Sequence, residues 1–208
     1  EDTLALSLDA GSFMQIIEDD FLLYMSIATS LARATMEALY DWGSKRPAER
    51  GFSEDRLQET FATLNLVHRL AQAREAPFFR GSNLTVLTEL LRFQQPRVLR
   101  AGELLFEEGG TIESMALILD GTFVTTSGGG ETLHPVGSML GGWEIFTQQA
   151  RRETARAVTP ARIIEIDRTL FTDVLEDHYE FAVDYLSKIS RRVIELRYSH
   201  PVALTVDR

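Results

Sequence analysis

The residues best able to do chemistry lie between Gly137 and Thr159, in the run GSMLGGWEIFTQQARRETARAVT. It reads as a turn, a short polar helix, an arginine-bearing loop and a strand. Helix-end and loop N–H groups, joined by one guanidinium, can hold a phosphate in such a layout. Arg151 offers two anionic oxygens a planar fork, or else it is one half of a solvated Arg151-Arg152 pair. Glu144 can accept from a hydroxyl, or can be an ordinary surface carboxylate. Trp143 can pack in the core or fill a pocket, or else stack on a ligand.

Other chemistries find less support. His68, His134, His178 and His200 share no spacing with one another or with a carboxylate pair, so no metal site is expected. The absence of cysteine excludes disulfides and thiolate chemistry. Gly128-Gly129-Gly130 lies between two short strands and reads as a hairpin turn, not a phosphate loop. No nucleophile elbow occurs, and no catalytic residue is assigned. A net charge of −10 disfavours DNA and anionic membrane surfaces. No apolar run is long enough to span a bilayer. The expected setting is the cytoplasm.

The elements that must position these residues can be read along the 208-residue chain. Residues 3–8 alternate as a short strand. Asp9 and Ser12 then cap a helix that breaks near Asp20 and resumes to about Trp42. The linker 43–53 is rich in glycine, proline and charge. Connecting helices fill 54–96, one over about 54–75 and one over about 83–92 capped by Asn83. From Arg97 the period changes to two, and short strands alternate with glycine turns. A strand over 162–167, a short helix over 168–176 and a long helix over 178–198 complete the unit. Residues 199–208 form an extension, strand-like at Val202–Val206, with no helix-turn-helix after it.

Residues 3–36 also repeat as 161–194. LSLDAGSFMQIIEDDF aligns with IEIDRTLFTDVLEDHY, so that Asp9 meets Asp167, Phe13 meets Phe171, and Glu18-Asp19 meets Glu176-Asp177. A shared strand, Asp, Phe and Glu-Asp pair in one register goes beyond what two amphipathic helices share by chance. Residues 1–42 therefore read as the tail of an upstream copy of the same domain.

Several landmarks carry a family resemblance. They are Ala101-Gly102-Glu103 with Leu105-Phe106, Glu108-Gly109-Gly110, Ile118-Leu119-Asp120-Gly121, and the Gly137–Gly141 run entering the arginine segment. In this order and spacing the chain resembles the cyclic-nucleotide-binding domain family over about 78–198. The resemblance implies an α+β fold, an antiparallel β-roll or jelly roll with flanking helices, here preceded by a helical segment. It implies a regulatory, signal-transducing module of a multidomain protein, with cyclic AMP or cyclic GMP as ligand. The last helix would cap the base or form a homodimer seam. The repeat makes a tandem neighbour or another protein the expected partner, and the charge makes DNA contact and membrane insertion unexpected.

On the family pattern the candidate pocket is Gly141, Gly142, Glu144, Arg151, Arg152 and Glu153, with Arg151 on the phosphate. The pattern has three departures. Gly142 stands where the family places the ribose carboxylate, and Glu144 lies two residues on. Ala150 replaces a proline. Arg152-Glu153 replace small residues beside the phosphate, where a carboxylate at ~4 Å repels it by roughly 4 kcal/mol at an effective dielectric of about 20. The alternative function is therefore a scaffold that binds no nucleotide.

Overall fold

The computed structural model describes residue 7 and residues 9–42, 65–147 and 149–198. The expected strand over 3–8, the linker, the first half of the 54–75 helix and the C-terminal extension fall largely or wholly outside these.

Period-two patterning from Arg97 onward yields eight short strands among the described residues. They are β1 (Arg97–Leu99), β2 (Leu104–Phe106), β3 (Ser114–Asp120), β4 (Phe123–Ser127), β5 (Gly130–His134), β6 (Met139–Leu140), β7 (Thr154–Ala157) and β8 (Ala161–Asp167). They form two antiparallel four-stranded sheets, ordered β1-β8-β3-β6 and β2-β7-β4-β5. Ser127 pairs with Gly130, leaving Gly128 and Gly129 as a two-residue loop with φ of 56° and 80°. Positive φ at both positions is what a type I′ hairpin requires, so the triple glycine is a turn.

β3 reads SMALILD rather than alternating because both its faces are buried. Ala116 and Ile118 point between the sheets, with Leu99, Phe123, Ala155 and Ile163. Met115, Leu117 and Leu119 point the other way, with Ile164 and Ile166, onto the helices.

That helical layer contains α1 (Ala10–Asp19), α2 (Phe21–Trp42), α3 (Leu66–Glu75), α4 (Leu84–Leu91), α5 (Arg168–Asp177) and α6 (Tyr179–Tyr198). Asp9 caps α1 by accepting from the Ser12 N–H at 3.0 Å, and Asp20 breaks the pair as expected. Asn83 caps α4. The expected 54–75 helix is corrected at Asn65. Its side chain accepts from the His68 N–H at 3.1 Å with extended backbone, so the helix that follows begins at Leu66, and residues 54–64 lie outside the described residues. Phe78 is the hub of the helical core, with ring contacts to Phe79, Trp143, Phe171 and Tyr185.

Candidate functional site

Backbone pairing fixes where Arg151 sits. Its N–H donates to the Gly110 carbonyl and its carbonyl accepts from the Gly109 N–H, both at 2.8 Å. Gly109 has a φ of 86°, so the turn that receives Arg151 needs a residue without a Cβ. The guanidinium then runs inward. It lies 4.0 Å over the Phe106 ring, and Nη2 donates to the Ser114 carbonyl at 2.5 Å. Nη1 donates to Oε1 of Glu144 in an ion pair whose two side chains are both buried. Nε is buried without an acceptor.

Glu144 reaches Arg151 because the expected short helix is absent. Residues 141–146 form a bend and turns. The Thr147 N–H and hydroxyl both donate to the Glu144 carbonyl, at 2.8 and 2.9 Å. Helical rotation would have swung Glu144 away from the neighbouring position; the turn does not impose it. Gly141, at φ 73°, makes room, since a Cβ there would collide with Nη1 of Arg151.

The remaining candidates divide. Gly142 faces the aromatic hub: a Cβ would stand 2.8 Å from Cγ of Met139 and 3.0 Å from Cε2 of Phe78. Its carbonyl accepts from the Tyr185 hydroxyl at 2.8 Å. Arg152 turns from Arg151 and donates to Gln149 at 3.0 Å, so the two arginines do not act as one fork. Glu153 is half-buried just before β7. Trp143 packs edge-on to Phe78 and fills space.

Sequence reasoning missed four contributors. Phe106, Ser114 and Tyr185 carry no local signal beyond that of strand and helix residues. Arg168, at the start of α5, was not singled out at all; it donates to the Ile112 carbonyl and, at 3.4 Å, to that of Thr147. Only the tertiary packing of sheets and helices brings Phe106, Ser114 and Tyr185 to the cassette.

A cavity of about 140 Å³ adjoins Arg151, and Glu113 and Glu165 line it along with Phe106 and Ser114. Small-molecule sites usually measure roughly 300–1,000 Å³. A cyclic nucleotide does not fit these residues as they stand. The space is small, acidic residues Glu113 and Glu165 contribute to its lining, and the arginine's charge is already met by Glu144. Among the described residues no group of three or more His, Asp or Glu could hold a metal, and no helix is long and apolar enough to cross a membrane.

Comparison with known proteins places this double sheet. Residues 96–178 match the family model of the cyclic nucleotide-binding domain. No curated protein sequence matches the chain. Among solved structures, the sensor domain of the transcriptional regulator DNR from Pseudomonas aeruginosa is 20% identical, with a TM-score of 0.55 over 67% of this chain and 97% of its own. The N-terminal domain of a transcriptional regulator from Streptomyces coelicolor A3(2) is 19% identical, with a TM-score of 0.53 over 64% and 96%. The regulatory domain of Toxoplasma gondii PKA, solved with cAMP, is 13% identical, with a TM-score of 0.52 over 61% and 49%. At these identities the likeness is one of fold. The match to the family model spans residues 96–178, under half of the 208-residue chain, and the double sheet has the fold of these neighbours.

Proposed function

We propose that this chain is a non-catalytic regulatory module of a cytoplasmic multidomain protein, and that it works through contacts with a tandem neighbour or protein partner. Its cassette holds an internal ion pair in place of a cyclic nucleotide. The observation that carries this is the buried pairing of Arg151 with Glu144, which satisfies the guanidinium a phosphate would need. Taking up a phosphate means breaking that pair and leaving Glu144 buried beside a new anion, a cost of several kcal/mol.

One observation favours a second reading. Nε of Arg151 is buried without an acceptor, so an anion that displaced Glu144 would gain a donor now unused. In that case the module senses cyclic AMP or cyclic GMP and reports through Tyr185 and α6. Thermal melts with 1 mM of either nucleotide separate the two. A sensor with a Kd of about 10 μM would gain about 2.7 kcal/mol; the contact module shows no shift.

A further inference from the structure

The two helical pairs repeat in backbone as well as in sequence. α1 and α5 are both ten residues long and follow an aspartate N-cap in extended conformation, Asp9 and Asp167. Both end at a residue of nearly the same backbone angles, Asp20 at φ −132°, ψ 91° and His178 at φ −127°, ψ 79°. The long helices α2 and α6 then pack together. The Tyr24 hydroxyl donates to the Ala182 carbonyl at 3.0 Å, and these two residues are 158 apart, the offset of the repeat itself. A residue that touches its own counterpart lies close to a two-fold axis, so the α2–α6 seam relates two like units.

Equivalent positions differ sharply in burial. Phe171, Val174 and Phe181 are 0%, 3% and 4% exposed, whereas their counterparts Phe13, Ile16 and Leu23 are 39%, 40% and 36% exposed. In the C-terminal unit the Phe78–Phe79 knob and Phe146 of the cassette pack on the rings of Phe171 and Phe181, and Val174 lies in the same buried cluster. Among the described residues, nothing of that kind covers Phe13, Ile16 and Leu23. The inner face of the same helices is closed, with Ile17, Tyr24, Ala28 and Ala32 all buried. The open face is therefore the one that, by the repeat register, belongs against a β-roll.

We infer that the Phe13–Ile16–Leu23 face is a docking surface for a second β-roll of this same fold, joined in cis and related to residues 66–198 by the axis at Tyr24 and Ala182. The inference rests on reading residues 1–42 as the tail of an upstream copy. It adds which side chains meet that copy and where the copy stands. The occupant is set by the register and by what packs on Phe171 and Phe181. The complete assembly is an internal pseudo-dimer whose seam is α2 against α6.

The chain has no cysteine, so single thiols can report on the face. Leu23→Cys is placed in the 208-residue chain and in a tandem chimera carrying a duplicate of residues 66–160 ahead of Thr3, the junction the repeat register dictates. Leu22→Cys is the control, because both Leu22 and its counterpart Glu180 are exposed. Maleimide labelling at Leu23→Cys is expected to slow by at least ~100-fold in the chimera while Leu22→Cys stays fast, since a closed interface labels only through local opening. Equal labelling of Leu23→Cys in both proteins overturns the inference. So does a chimera that fails to fold where the 208-residue chain folds, because the register requires the added roll to be compatible. Neither readout involves a nucleotide, so failure here leaves the cassette reading standing, and nucleotide binding would leave this inference standing.

Discussion

Glu144 and Arg151 bury a carboxylate and a guanidinium against each other between the two sheets, with Nη2 of the arginine also bonded to the Ser114 carbonyl. Removing one partner strands the other charge. Glu144→Ala and Arg151→Ala should each lose about 3–5 kcal/mol of unfolding free energy, and the double variant should lose well under their sum. Urea denaturation of the four proteins provides the cycle. Additive losses would mean that the pair is not coupled.

Gly142→Glu restores the residue that the family pattern calls for, yet Phe78 and Met139 occupy the space where its Cβ would go. Overpacking of this kind costs about 1–3 kcal/mol. The variant should melt lower than the parent chain and gain no affinity for cyclic AMP. A Gly142→Glu chain as stable as the parent would show that the aromatic hub yields.

Tyr24 and Tyr185 are both buried, and desolvation pushes both phenols well above the ordinary tyrosine range. A raised folded-state pKa gives stability that is complete below the unfolded value, near pH 10, and is lost as pH climbs above it. Stability should therefore hold from pH 8 to about pH 9.5 and then fall by up to about 1.4 kcal/mol per pH unit for each tyrosine. Tyr24→Phe should remove one of the two contributions and flatten the decline. Urea midpoints measured between pH 8 and 11 test it; an unchanged slope would contradict burial of the Tyr24 hydroxyl at the seam.

Phe13 and Phe171 occupy the same place in two repeats but not the same environment. Phe171→Ala should cost about 3–5 kcal/mol, as expected for a ring lost from a packed core. Phe13→Ala should cost less, about 1–2 kcal/mol, because over a third of the side chain is already in water. Paired denaturation curves read the difference directly. Equal costs would contradict the burial difference.

The local patterns and the long-range contacts were unequally legible. Period-two apolar runs, the Gly128-Gly129 turn and the Asn83 cap lie within a few residues of one another, and they specify strand, hairpin and helix start without tertiary information. The Asp9 and Asp167 caps, with the Glu-Asp pairs after them, exposed the internal repeat. Asn65 was legible in principle, since an asparagine three residues before an N–H can cap it, but the apolar face running through Leu64 masked the break. The cassette turn was harder. A positive φ at Gly141 and a doubly satisfied Glu144 carbonyl override the helical reading of GWEIFTQQ. The meeting of Arg151 with Glu144, Phe106 and Ser114 depends on β2, β3 and the cassette being neighbours in space. No spacing in the chain encodes that.

Arg151 serves Glu144, and we propose that it serves no nucleotide. Isothermal titration of the 208-residue chain with cyclic AMP and with cyclic GMP tests it most directly. Neither ligand should bind tighter than about 100 μM, an affinity worth about 5.5 kcal/mol. A tighter dissociation constant that is abolished by Arg151→Ala would contradict it.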